Sequence, residues 1–248
     1  MIQLLTVNIH KGFSWLNRRF VLEDLREAIR SSCSDIVFLQ EVVGENYIKA
    51  QKHTNWPAAS QYEFLADTIW HDYAYGKNAI YQEGHHGNAI LSKFPIIKSE
   101  NIDISTNRLE KRGFLYCKLQ LPGKCSFLHC ICVHLSLTGK ARKKQIMILK
   151  NYIRKNIPSE ESLVVAGDFN DWSNTTTEIL ENTFKLQEVF VQVNGKPARS
   201  FPRSIPILRL DRIYQRGFIS VDVAIHHKEI WSKLSDHAAL SASLKFRN

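Results

Sequence analysis

The alternation of apolar and polar positions along the chain predicts many short strands interrupted by a few helices. Strands are expected at Ile2–Asn8, Ile36–Gln40, Tyr62–Ala66, Asn88–Ser92, Phe114–Leu121, Ser126–His134, Ser162–Asp168, Leu210–Gln215 and Ala238–Lys245. Two stretches have helical spacing instead. In Arg19–Ser31 an apolar stripe of Phe20, Leu22, Leu25, Ala28 and Ile29 runs beside charges, and in Lys140–Ile157 Ile146, Leu149 and Ile153 do the same. Pro158 closes the second helix, because it cannot continue the hydrogen-bond ladder. Ile36–Gln40 and Ser162–Asp168 are nearly continuous apolar runs, as expected of strands covered on both faces. Many strands with a few long helices imply stacked sheets with helices outside, an α/β sandwich. No linker, repeat or low-complexity segment divides the chain, so residues 1–248 are expected to form one domain.

Composition supports a folded chain with a basic surface. Of 248 residues, 44% are hydrophobic and 23% charged, which excludes disorder. Lys plus Arg is 33 against 24 for Asp plus Glu, a net charge of +9. That surplus suits an anionic partner: nucleic acid, a phosphorylated small molecule or the surface of an anionic membrane. A merely basic enzyme fits it equally well. Cysteines at 33, 117, 125, 130 and 132 lack the paired spacing of a structural zinc site and read as reduced thiols, with Cys130 and Cys132 on one strand face. No basic leader precedes Ile2 and no apolar stretch reaches 18 residues, so a cytoplasmic protein without a transmembrane segment is expected.

Polar residues gather where the strands end, which is where layered folds expose functional loops. Asn8 and His10 follow the first strand, Gln40 and Glu41 the second. His134 ends another, and Gly167-Asp168-Phe169-Asn170-Asp171 ends the next. Asp211 lies beside a strand, and Ser235-Asp236-His237 precedes the last. Each has a plainer reading alone: Asp168 as a turn residue, His134 as a half-buried hydrogen-bonded histidine, Glu41 or Asp236 as a helix cap. Their conjunction argues for a site.

The ordered set N-x-H, Q-E, G-N-A-I-L-S-K-F-P, H-L-S, G-D-F-N-D, R-L-D-R-I-Y and S-D-H-A resembles the endonuclease/exonuclease/phosphatase superfamily over residues 2 to about 245. Val7-Asn8-Ile9-His10-Lys11-Gly12-Phe13, the stretch from Gly84 to Asn88, and Leu208 to Tyr214 are similar to its bacterial YbhP-like branch. The resemblance implies a four-layer α-β-β-α sandwich of the DNase I-like kind, with two stacked mixed sheets flanked by helices. It also implies divalent-metal hydrolysis of a phosphoester by in-line attack of water. Glu41 matches the family's main metal ligand, and Asn8 and Asp236 match positions that ligate or surround the ion. Mg²⁺, with Mn²⁺ as a substitute, suits such a carboxylate set. Asp168 matches the residue that orients or deprotonates the water, and Asn170 the group that positions it. His237 matches a phosphate-contacting histidine, Asp211 its carboxylate partner, and His134 a second histidine at the phosphate or leaving group.

Substrate contacts are expected from Arg112, Asn88 and His10, although His10 stands where apurinic endonucleases carry an acid, and Arg112 also reads as a solvated strand-end residue. His85 and His86 are expected on a substrate or surface loop, pointing to opposite faces. The Lys140–Lys144 run is expected as a solvated helix face, and Phe13, Trp15, Trp172 and Phe201 as either stacking or core aromatics. The resemblance leaves open a phosphodiester of nucleic acid, a phospholipid or inositol-phosphate headgroup, and a non-catalytic nucleic-acid-binding module on the same fold.

Overall fold

A computed structural model describes residues 1–123, 127–172 and 175–247, with Asn17 as backbone only. In chain order its elements are β1 (Ile2–Asn8), α1 (Leu22–Ser31), β2 (Ile36–Asn46), α2 (Tyr47–Lys52), α3 (Gln61–Ala66), β3 (Asp72–Tyr81), β4 (Gly84–Ser92), β5 (Ile96–Asp103), β6 (Gly113–Gln120) and β7 (Phe127–His134). There follow α4 (Gly139–Asn156), β8 (Ser162–Asp168), α5 (Thr175–Phe184), β9 (Gln187–Glu188), α6 (Val189–Asn194), β10 (Asp211–Arg216), β11 (Phe218–His226) and β12 (Ala239–Phe246).

The strands make two mixed sheets, ordered β11-β12-β1-β2-β4-β3 and β5-β6-β7-β8-β10-β9. Each has a parallel pair at its middle, β1 with β2 and β7 with β8. The period-2 alternation of these central strands fills three cores at once. Leu4, Phe38 and Ile90 face Cys130, Cys132 and Val164 between the sheets. Leu5, Val7, Val37 and Leu39 point outward to Leu22, Leu25 and Ile29 of α1. Ile131, Val133, Leu163 and Val165 point the other way to Ile146, Leu149 and Ile153 of α4. Helix, sheet, sheet and helix are therefore stacked as four layers. Cys130 and Cys132 share the inter-sheet core; Cys125 and Ser126, where one expected strand began, lie outside the described residues.

Several expectations need correction. Tyr62–Ala66 is helical, not a strand: Ser60 accepts from the Glu63 N–H while Glu63 reaches back, a capping box that starts α3. The first long helix begins at Leu22 rather than Arg19, because Phe13 and Phe20 pair as a β-bridge ahead of it. His85 and His86 stand in β4, not in a loop. Arg142 is buried rather than solvated, with its guanidinium over Trp172 and donating to the carbonyls of Ser136 and Leu137. Strands β3, β5, β9 and β11 were not anticipated from the sequence. They flank the centres, and β5 is exposed along most of its length.

Candidate active site

Both parallel pairs point their C-terminal ends the same way, and the strand-end residues meet there. Asn8 pairs with Gln40 at the end of β1 and β2, while His134 and Asp211 are both register partners of Asp168. Gly167 makes the last step possible. Its φ is 140°, and a Cβ there would sit 2.1 Å from the Val133 carbonyl oxygen, so β8 approaches β7 this closely only with glycine. On the other sheet the register of β2 slips between Leu39 and Val42, and Glu41 is turned out at φ 56°. His10 and Lys11 follow β1 with φ of 47° and 58°, which folds that loop over Glu41.

Around Asp168 the geometry is tight. Asn8 Nδ2 donates to Asp168 Oδ2 at 3.3 Å, and the Asn170 N–H donates to Oδ1 at 2.9 Å. His134 Nε2 and His237 Nε2 lie 3.6 and 3.8 Å from Oδ2. His237 Nδ1 is 2.8 Å from Asp211 Oδ2, which fixes its ring. Asn170 Nδ2 donates to the Leu135 carbonyl at 2.9 Å. Asp168, Asn170, Asp211, His134 and His237 are all buried. Ser235 ties the two chain ends together by donating to the Asn8 carbonyl at 2.6 Å.

The two histidines are driven apart in charge. Burial, with Arg112 nearby, holds His134 well below its ordinary range and therefore neutral. Burial works against a charge on His237 too, but Asp211 and then Asp168 overcome it and raise its pKa. Burial also raises Asp168, with Asp211 adding to the effect, while His237 and the donors on Asn170 and Asn8 oppose it. Paired groups whose environments separate their pKa values are what acid–base chemistry requires.

Glu41 sits across from this cluster. Burial opposes its charge, while Lys11 and His10 favour it and help to lower its carboxyl below the usual range. Lys11 Nζ is 3.2 Å from Glu41 Oε2, and this buried oxygen accepts no aligned hydrogen bond. His10 Nδ1 is likewise 3.2 Å from Asp236 Oδ2. Glu41, Asp236 and Asn8 offer hard oxygen donors, the set that suits Mg²⁺. Among the described residues, the group of acidic and histidine side chains that lies close enough together to surround an ion is Asp168, Asp211 and His237. There, however, the nearest atoms of His237 and Asp211 already satisfy each other.

The remaining expected residues are placed as follows. Arg112 donates from Nε to the Leu135 carbonyl at 3.3 Å and pairs with Glu110 at 3.1 Å, so it is anchored at the rim and not solvated. Asn88 is fully buried and spans the sheets, donating to the carbonyls of Gly113 and Cys132. Phe13 belongs to the core, Phe201 packs 4.9 Å from the His237 ring, and Trp15 and Trp172 are exposed. Sequence reasoning passed over Lys11, Lys49 and the position of His86 beside Glu41 and Arg112. Lys11 had a signal in its adjacency to His10; Lys49 had none, because α2 was not foreseen. A separate cleft of about 860 Å³, lined by Tyr47, Trp56, Tyr62 and Tyr75 among others, holds none of the strand-end residues.

Comparison with known proteins fits this geometry. The uncharacterized protein YbhP of Escherichia coli (strain K12) is 47% identical over 242 residues, covering 98% of this chain and 95% of that one. Sphingomyelinase C of Listeria ivanovii is 32% identical over 139 residues, 50% of this chain and 40% of that one. The crystal structure of an endonuclease/exonuclease/phosphatase from Beutenbergia cavernae superposes with a TM-score of 0.80 at 18% identity, covering 99% of this chain and 71% of that one, and shares its fold. The model of the endonuclease/exonuclease/phosphatase family matches residues 5–237, from within the first strand to the histidine before the last. With so continuous a match and a relative close to half identical along its length, the chain belongs to the endonuclease/exonuclease/phosphatase family.

Proposed function

We propose that the protein is a divalent-metal-dependent phosphoesterase that hydrolyses a phosphodiester by in-line attack of water. The observation that carries this is the buried Asp168 carboxylate held between His134 and the Asp211-bound His237, with the incompletely satisfied Glu41 across from it. Glu41, Asp236 and Asn8 would hold Mg²⁺ or Mn²⁺, and a bound ion there supplies charge stabilisation to the phosphoryl oxygens.

Asp168 accepts the proton of the attacking water; its raised pKa suits a general base working near neutral pH. The backbone N–H of Asn170 and the Asn8 amide keep the carboxylate aimed. His237 presents Nε2–H to a non-bridging phosphate oxygen, since Asp211 occupies Nδ1. His134 adds a hydrogen bond at the phosphate or leaving group without adding charge. Arg112, at the rim, faces the accumulating negative charge.

Incubating the protein with DNA, RNA, inositol phosphates and sphingomyelin, each with Mg²⁺ and with excess chelator, tests this reading. Metal-dependent release of product from at least one substrate is expected; no turnover on any of them would refute it. A second reading, cleavage at a phospholipid headgroup, draws on the similarity of half the chain to a sphingomyelinase C. The basic surface would suit an anionic membrane as well as nucleic acid. Sphingomyelin turnover exceeding nucleic-acid turnover would select it.

A further inference from the structure

A cleft of about 210 Å³ opens beside Glu41, between the loop after β1, the start of α2 and the β3–β4 hairpin. Lys11, Asn46, Lys49 and His86 line it, with Tyr81 and Glu83 at the same wall. Lys11 reaches from here to Glu41 at 3.2 Å. His86 lies within the electrostatic reach of Glu41, Lys11, Arg112 and Lys49, and its Nδ1 is buried with no hydrogen-bond partner. The cleft therefore adjoins Glu41 through Lys11, and two lysines face one carboxylate, Glu83, in its lining.

Lys49 is the informative residue. Asn46 fixes it by capping α2, accepting from the Lys49 N–H at 2.8 Å. Its Nζ lies 4.3 Å over the Phe13 ring, and among the described residues no carboxylate is within ion-pair distance of it. Burial and then the nearby Lys11 charge work against its protonation, and the Glu41 charge only partly offsets them. Two lysines gathered beside a buried histidine repel each other, and α2 buries none of its residues that would require the arrangement for packing. A bound anion relieves that repulsion, and the lysine ammonium suits phosphate as a point charge.

We propose that this cleft is a second phosphate subsite, so that the preferred substrate carries another phosphate beside the scissile one. The proposal rests on the phosphoesterase reading above. It excludes a quaternary-ammonium headgroup from the cleft, since Lys11 and Lys49 would repel it. A polynucleotide and an inositol polyphosphate both supply the required chemistry.

Calorimetric titration in Mg²⁺ separates these sources. Thymidine 5′-monophosphate is compared with thymidine 3′,5′-bisphosphate, and inositol 1-phosphate with inositol 1,4-bisphosphate, on wild type, Lys49→Met and Lys49→Arg. In one pair the bisphosphate should bind wild type about tenfold tighter than the monophosphate, the gain expected of one charged hydrogen-bonded contact. Lys49→Met should reduce that gap to twofold or less, and Lys49→Arg should keep most of it. The pair that shows the gap identifies the source. No gap in either pair, or a gap unchanged in Lys49→Met, overturns the subsite. Should Lys49→Met fail to fold, the wild-type gap must instead shrink between low and high salt, and a salt-independent gap overturns the proposal. Hydrolysis of bis(p-nitrophenyl) phosphate, run alongside, reports separately on the reaction. A gap without hydrolysis keeps the subsite and removes the phosphoesterase reading; hydrolysis without a gap does the reverse.

Discussion

Glu41 and Asn170, both candidate site residues, stand on backbone that L-residues rarely adopt, at φ of 56° and 48°. Such a conformation costs about 1 kcal/mol relative to glycine. Glu41→Gly should therefore abolish metal binding and turnover while leaving the metal-free melting temperature equal or higher; a fall of several degrees would mean that Glu41 is structural. His237 supplies a pH signature. Its folded pKa, about 10, exceeds the ordinary 6.5, so its stabilising contribution is complete below 6.5 and is lost as pH rises through 10. Asp211→Asn removes the main raising partner, and thermal melts from pH 6 to 10 should show stability declining at lower pH than in wild type. At this scale the sequence was informative where a polar residue adjoined an apolar run, as with Asp168 after Val164-Val165-Ala166. It was silent where the fold of a loop decides the neighbours, as with Lys11 against Glu41 and His86 against Arg112.

The central strands were readable because burial on both faces writes a continuous apolar run, as in β2 and β8. Edge strands carry no such mark: β5 has one mostly exposed face after another, and its residues look like loop. Tyr62–Ala66 misled for the opposite reason. Its aromatic and apolar residues suit a strand, and the Ser60–Glu63 capping box overrode that propensity. The site depends on how closely the strands approach. Gly167→Ala should push β8 from β7 at Val133, lower stability by about 1–3 kcal/mol and displace Asp168. Denaturant melts and turnover should fall together; full activity in a destabilised variant would show that Asp168 is positioned by something else.

Across the whole molecule, the +9 charge and the acidic centre are parts of one arrangement. Glu41, Asp168, Asp211 and Asp236 converge at one end of the two sheets, while cations at Lys11, Lys49, His237 and Arg112 surround them. Among the described residues no helix is long and apolar enough to cross a membrane. The layered architecture followed from the strand and helix pattern together with the family resemblance. Which anion the surface receives did not, because that depends on loops and short elements such as α2 that periodicity does not reveal. The central claim is metal-dependent hydrolysis with Asp168 as base, and turnover of bis(p-nitrophenyl) phosphate by wild type and Asp168→Asn tests it most directly. Wild type in Mg²⁺ should turn over, stop in excess chelator and recover when the ion is restored, while folded Asp168→Asn should be about 100-fold slower or worse. Hydrolysis that survives the chelator, or proceeds at the wild-type rate in Asp168→Asn, would contradict it.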